Sequence, residues 1–200
     1  MNVHALAVPA VTAACLCTAA NASIDIFTEA ALFDSAVAGT NRAVETFGSY
    51  SDGPYGSPLT GSAGPVAWSA TAASGLQITS GQLSSVGGQA LVISFEAGAL
   101  PITGVGGNFF ATSGGVVTSA IVRIETDDGT SIVQSISSPT NFIGFVSGGL
   151  SISSIRISLF SGTTAIDPTV DNLVFAYVPA PGSISLLGAS LIMVPRRRRR

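Results

Sequence analysis

Hydrophobic and polar residues alternate along this chain with a period of two over short stretches. In Ile155-Arg156-Ile157-Ser158-Leu159 the alternation is strict, so an extended strand there presents one apolar face and one wet face. Similar runs rich in Val, Ile, Phe and Thr recur at 43–47, 66–71, 76–79, 90–95, 116–126, 131–137, 142–147, 152–160 and 170–177. Gly, Ser, Pro and Asn clusters separate them, as in an antiparallel sandwich or barrel. Asp127-Asp128-Gly129 is a turn signal between two such runs, and predicts a hairpin over 116–137. A single short helix is expected where Leu32, Phe33, Ala36 and Val37 form one apolar stripe, with Thr28 as its cap and Gly39 past its end. The stretch 48–64 holds five glycines together with Tyr50 and Tyr55, and reads as a long irregular loop.

Composition changes the picture through where the reactive residues fall. The sole histidine is His4, the two cysteines are Cys15 and Cys17, and the eight basic residues are all arginine. Small apolar residues fill 5–14, and Ala20-Asn21-Ala22 has the small side chains that signal peptidase accepts ahead of a cut before Ser23. Cys15 after Thr12-Ala13-Ala14 leaves a lipoprotein leader as the alternative. Removing residues 1–22 leaves a body without His, Cys or Lys. That excludes Ser-His-Asp and Cys-His nucleophiles, a His or Cys zinc site and a Schiff-base lysine.

The other end has three parts. Val178-Pro179-Ala180-Pro181 stiffens an extended segment, residues 182–194 are apolar, and Arg196, Arg197, Arg198, Arg199 and Arg200 follow Pro195. Thirteen helical residues cover roughly 20 Å of a hydrocarbon core of about 30 Å, so the segment is a weak anchor. Between Ser23 and Pro179 stand eleven acidic residues and three arginines, a net of −8 that the terminal arginines bring to −3. An acidic, lysine-free body has no electrostatic footprint for nucleic acid.

This tail resembles the sorting signal of PEP-CTERM proteins. Pro179 and Pro181 match the two family prolines, 182–194 the membrane segment and the five arginines the basic end, while Ala180 stands where the family has Glu. The resemblance implies recognition and processing by an integral membrane exosortase. More loosely, Phe142-Ile143-Gly144-Phe145-Val146 and Asp171-Asn172-Leu173-Val174-Phe175 look like the closing part of jelly-roll domains found in such proteins, which implies a two-sheet jelly roll.

The sequence therefore reads as an all-β protein, an antiparallel β-sandwich of jelly-roll type, with a leader at 1–22, an ectodomain at 23–177 and a sorting tail at 178–200. Its expected role is that of an exported surface or extracellular-matrix protein without a catalytic site or a required cofactor. The alternative is a secreted carbohydrate-binding module that meets extracellular polysaccharide. Sugars stack on aromatic rings, which makes Tyr50, Tyr55 and Trp68 the candidate contacts, although Trp68 in Val66-Ala67-Trp68-Ser69 also fits a core position. Calcium takes oxygen ligands from loops, and Asp127, Asp128, Asp171 and Asn172 are the candidate set. Hairpin-turn chemistry is the favoured account of the first pair, and an Asx turn at the start of the last strand that of the second. The carboxylates fall in no recognisable glycosidase arrangement.

Overall fold

The computed structural model describes residues 23–95, 100–113, 116–118, 120–126, 129–136, 141–159 and 166–178. The first half of these residues forms β1 (Ile24–Phe27), α1 (Ala30–Ala36), β2 (Asn41–Glu45), β3 (Gly53–Tyr55), β4 (Leu59–Ala63), β5 (Val66–Thr71), β6 (Leu76–Thr79), β7 (Gln82–Ser85) and β8 (Leu91–Phe95). The second half forms β9 (Ile102–Ser113), β10 (Val116–Thr118), β11 (Ala120–Thr126), β12 (Ser131–Ile136), β13 (Phe142–Ser147), β14 (Ile152–Leu159) and β15 (Asp167–Tyr177). Two antiparallel sheets result. One has the order β1-β13-β9-β15-β7-β6-β3, with β2 also on β15 and β10 also on β9; the other runs β12-β11-β14-β8-β5-β4. They pack face to face as a β-sandwich.

Alternation builds the core between them. Val122, Ile124, Ile155 and Ile157 point inward from the smaller sheet and meet Val105, Phe109, Phe145 and Phe175 of the larger one in a single apolar cluster. Ile155 and Ile157 are fully buried while Arg156 between them is exposed, as the strict alternation predicts.

A second, smaller cluster lies on the outer face of the larger sheet. There Phe33 and Val37 pack on Val174 and Ala176, flanked by Phe27, Phe142 and Val146. Glycines make room for these rings. A Cβ on Gly104 would stand 3.0 Å from Val37 Cγ1, and one on Gly144 would overlap the Phe33 ring. The helix therefore sits on a lane of bare backbone. It starts after Glu29, which makes no side-chain cap, rather than after Thr28.

The central strand β15 changes partner along its length. Thr169 and Val170 pair with β7, whereas 173–177 pair with β2. Between them the register against β9 slips by one residue, and Asn172 takes a left-handed φ of 51°. This is a β-bulge, which sharpens the local twist and lets one strand serve two neighbours. Gly107 faces it; a Cβ there would lie 3.2 Å from the Asp171 and Asn172 carbonyl oxygens.

Three expectations need correction. The 48–64 stretch is not an irregular loop, since it carries β3 and β4, each hydrogen-bonded to a neighbour. The predicted 116–126 strand is split: β10 joins the larger sheet through β9, and β11 joins the smaller one. The hairpin is thus β11 with β12, paired from Ala120↔Ile136 to Glu125↔Ser131, with Gly129 at φ 83° in its connection. Strands β1, β7 and β9 carry no clean sequence signal.

Candidate functional site

Trp68 is not a sugar platform. It points inward from β5, is 2% exposed, and donates its indole N–H to the Glu45 carboxylate at 3.2 Å. Glu45 is itself buried, on β2 of the opposite sheet, and its other oxygen accepts the Phe47 N–H at 2.8 Å. That bond fixes Phe47 in a left-handed conformation, φ 54°, with its ring against the indole at 5.6 Å in an edge-on contact. The alternation Val66-Ala67-Trp68-Ser69 favours a core position for Trp68, and its burial agrees.

From this buried end an aromatic ladder runs outward. Tyr50 packs on Trp68 at 6.2 Å, and Tyr55 meets Tyr50 edge-on at 6.1 Å. Both tyrosines are half-buried, and Tyr55 donates its hydroxyl to the Ser51 carbonyl at 2.8 Å. Gly61 of β4 lies beneath the Tyr50 hydroxyl and the Trp68 ring, where a Cβ would overlap both. Burial raises the Tyr50 phenol above its ordinary value, and the Glu45 carboxylate and Tyr55 push the same way. Of the three aromatic candidates, the structure thus brings Tyr50 and Tyr55 together at the rim and withdraws Trp68.

Asp171 and Asn172 do not start the last strand. They form the bulge in its middle, and the Asn172 backbone N–H bonds the Asp171 carboxylate. Asp127 and Asp128 lie outside the described residues, and among those described no three His, Cys, Asp or Glu side chains come together. Partial burial raises the Asp171 pKa, opposed in part by that N–H. A raised acid binds its proton more tightly in the folded state. Its stabilising contribution is therefore full below the ordinary aspartate value of 3.8 and is lost as pH rises through the raised one. Asp171→Asn is accordingly expected to raise the Tm slightly at pH 7, with the gap closing as pH falls below that ordinary value. Thermal scans of both proteins across pH 3–7 check this, and an inverted trend refutes it. The same scans with EDTA or millimolar calcium read metal binding: an unchanged Tm removes Asp171 and Asn172 as ligands.

At the two ends, Ser23 is exposed just before β1 and its carbonyl accepts the Gly148 N–H at 2.8 Å. Val178 is 42% exposed just after β15 and donates its N–H to the Pro101 carbonyl at 3.1 Å. Ala20, Ala22, Pro179, Ala180, Pro181 and Arg196 to Arg200 lie outside the described residues. Among the described residues no helix is long and apolar enough to cross a membrane.

The outer face of the smaller sheet carries residues that strand-by-strand reading missed. Register aligns Ser131, Glu125, Ser154, Ser94, Ser69 and Thr60 in one row across all six strands. The next row is Val133, Arg123, Arg156, Val92 and Thr71. Arg123 and Arg156 are thus direct cross-strand neighbours. At one end of this row a surface groove of about 370 Å³ is lined by Thr71, Ala72, Gln89, Val92 and Arg156, among others.

No protein-family profile matches the chain, and no curated protein matches it. Among solved structures it is similar to family 29 carbohydrate-binding modules. A variant complexed with mannohexaose is 11% identical, with a TM-score of 0.43 over 70% of this chain and 94% of that one. A second variant is 12% identical, with a TM-score of 0.43 over 76% and 97%. Another, complexed with cellulohexaose, is 11% identical, with a TM-score of 0.40 over 69% and 93%. These similarities are too distant to carry an argument about this chain.

Proposed function

We propose that this chain is an exported surface or extracellular-matrix protein. A leader ending at Ala22 is removed by signal peptidase, and a tail beginning at Val178 is held in the membrane and processed by an exosortase-type enzyme. The ectodomain between them is a non-catalytic sandwich that needs no cofactor. The observation carrying this reading is the tail itself, Pro179-Ala180-Pro181, the apolar run and five arginines, placed straight after a completed fold. Strand β15 is paired on both sides up to Tyr177, and the next residue is exposed. The sandwich is thus complete before the tail begins. Deleting Arg196 to Arg200 tests the reading through intact mass and localisation. The full chain is expected to yield a surface form starting at Ser23 and ending near Pro181, and the deletion a form that keeps its tail. Identical processing of both refutes the sorting role.

A second reading, a secreted carbohydrate-binding module, is favoured by the Tyr50–Tyr55 pair at the rim. Tyr55→Ala is the informative change, because truncating Tyr50 also uncovers Trp68. Retention on neutral polysaccharide is expected to fall several-fold, since one stacked ring contributes about 1 kcal/mol. Retention equal to wild type rejects Tyr55 as a contact.

A further inference from the structure

We propose that the outer face of the six-stranded sheet binds a carboxylate-bearing polysaccharide, with the acid group seated between Arg123 and Arg156. The inference rests on the ectodomain meeting extracellular polymer and is independent of how the tail is processed.

The two arginines are unfavourably placed. Like charges directly opposite each other on neighbouring strands destabilise a sheet. The body has only three arginines against eleven acidic residues, yet Arg123 and Arg156 are cross-strand partners. The third, Arg42, lies 2.9 Å from Asp34, an ion pair without hydrogen-bond alignment. Arg123 reaches Glu125 only at 4.0 Å, and among the described residues Arg156 has no carboxylate partner. Arg123 and Arg156 are both exposed on strands whose backbones stand ~4.8 Å apart, and two long side chains rooted that close can turn their N–H donors onto one planar anion.

The surroundings select the kind of anion. Ser94, Ser154, Ser69 and Thr71 lie on the same face as the arginines and offer hydroxyls that donate and accept. Ala72 and Val92 give the adjoining groove apolar walls for the face of a sugar ring. Nucleic acid is gripped by a run of Lys and Arg along its phosphates, whereas among the described residues this face holds two arginines. A sugar acid carries one carboxylate amid hydroxyls and a ring face, and matches what this surface holds.

The test uses the full-length protein in mild detergent, electrophoresed through gels containing polygalacturonate, carboxyl-reduced polygalacturonate, or neither, with single-stranded DNA as a competitor. The expected result is retardation by polygalacturonate, weakened by salt, and a loss of about tenfold or more in affinity for Arg123→Gln and Arg156→Gln. Both variants should fold with an unchanged or higher Tm, because each relieves the like-charge pair. Retardation of the Arg123→Gln/Arg156→Gln protein equal to wild type overturns this site. So does equal retardation by the reduced polymer, which leaves a neutral carbohydrate-binding reading standing. Retardation by neither polymer overturns both, and displacement of the protein by DNA at lower concentration overturns the sugar-acid assignment.

Discussion

Replacing Glu45 by alanine is expected to destabilise the sandwich by roughly 3 kcal/mol, among the largest single-residue effects in the domain. The carboxylate bridges the two sheets inside the core, taking the Trp68 indole N–H from one and the Phe47 N–H next to its own strand. Truncation leaves two buried donors unpaired, each costing about 1–3 kcal/mol, and opens space beside the indole. It also frees Phe47 from the bond that holds its left-handed backbone. Glu45→Gln keeps one acceptor but turns an N–H₂ group toward a second donor, so it should fall between alanine and wild type. Trp68→Phe removes the donor while keeping most of the ring. Combined with Glu45→Gln it should cost less than the two single changes added, because the pair shares one hydrogen bond. Urea unfolding of these four variants beside the wild type measures each loss. A loss below about 1 kcal/mol for Glu45→Ala would show that the carboxylate is solvated and not an inter-sheet tie.

Trp68 shows what was legible in the sequence and what was not. Its inward direction follows from local alternation, but its partner stands 23 residues earlier in the chain and on the other sheet. Alternation likewise located β5, β6, β8, β11, β12 and β14, because one face of each is buried, while β13 and most of β15, covered on both faces, read as continuous apolar runs. It failed where glycine serves close approach instead of turning the chain. In β9, Gly104, Gly106 and Gly107 read as loop punctuation, yet they admit the Phe33 and Phe142 rings and the β15 bulge. In β4, Gly61 is bare so that the Tyr50–Trp68 pair can lie across it. The arginine pair was hidden for a different reason. Arg123 and Arg156 are 33 positions apart, and only strand register makes them neighbours. Asp171-Asn172 read as an Asx turn at the strand start; in the fold Asn172 takes a left-handed backbone and the pair forms a bulge inside the strand.

The glycine lane leads to the second large effect, in which Gly144→Ala is expected to cost about 1–3 kcal/mol although it adds one methyl group. That methyl would fall inside the Phe33 ring, 2.7 Å from Cγ, and 3.0 Å from Phe142 Cε1. Phe33 has nowhere to go. It is fully buried, with Phe142 at 5.3 Å, Phe27 at 6.4 Å, and Gly104 already beneath its edge. Either β13 shifts against β9 or α1 lifts from the sheet, and a seven-residue helix has too little intrinsic stability to persist once lifted. Gly56→Ala is the matched control, since its backbone is ordinary and no atom lies within 4 Å of the added Cβ. Phe33→Ala alone should cost about 3–5 kcal/mol, but Gly144→Ala added to it should cost almost nothing more, because the ring it collides with is gone. Strict additivity of those two changes would mean that the lane does not seat the helix. The coupling has a consequence at the N-terminus. Among the described residues strand β1 pairs with the sheet only through β13, so disturbing Gly144 is expected to loosen Ser23 and Ile24 as well. Limited proteolysis of Gly144→Ala should therefore trim the first strand and helix before it cuts β14 or β15, whereas Gly56→Ala should digest like wild type.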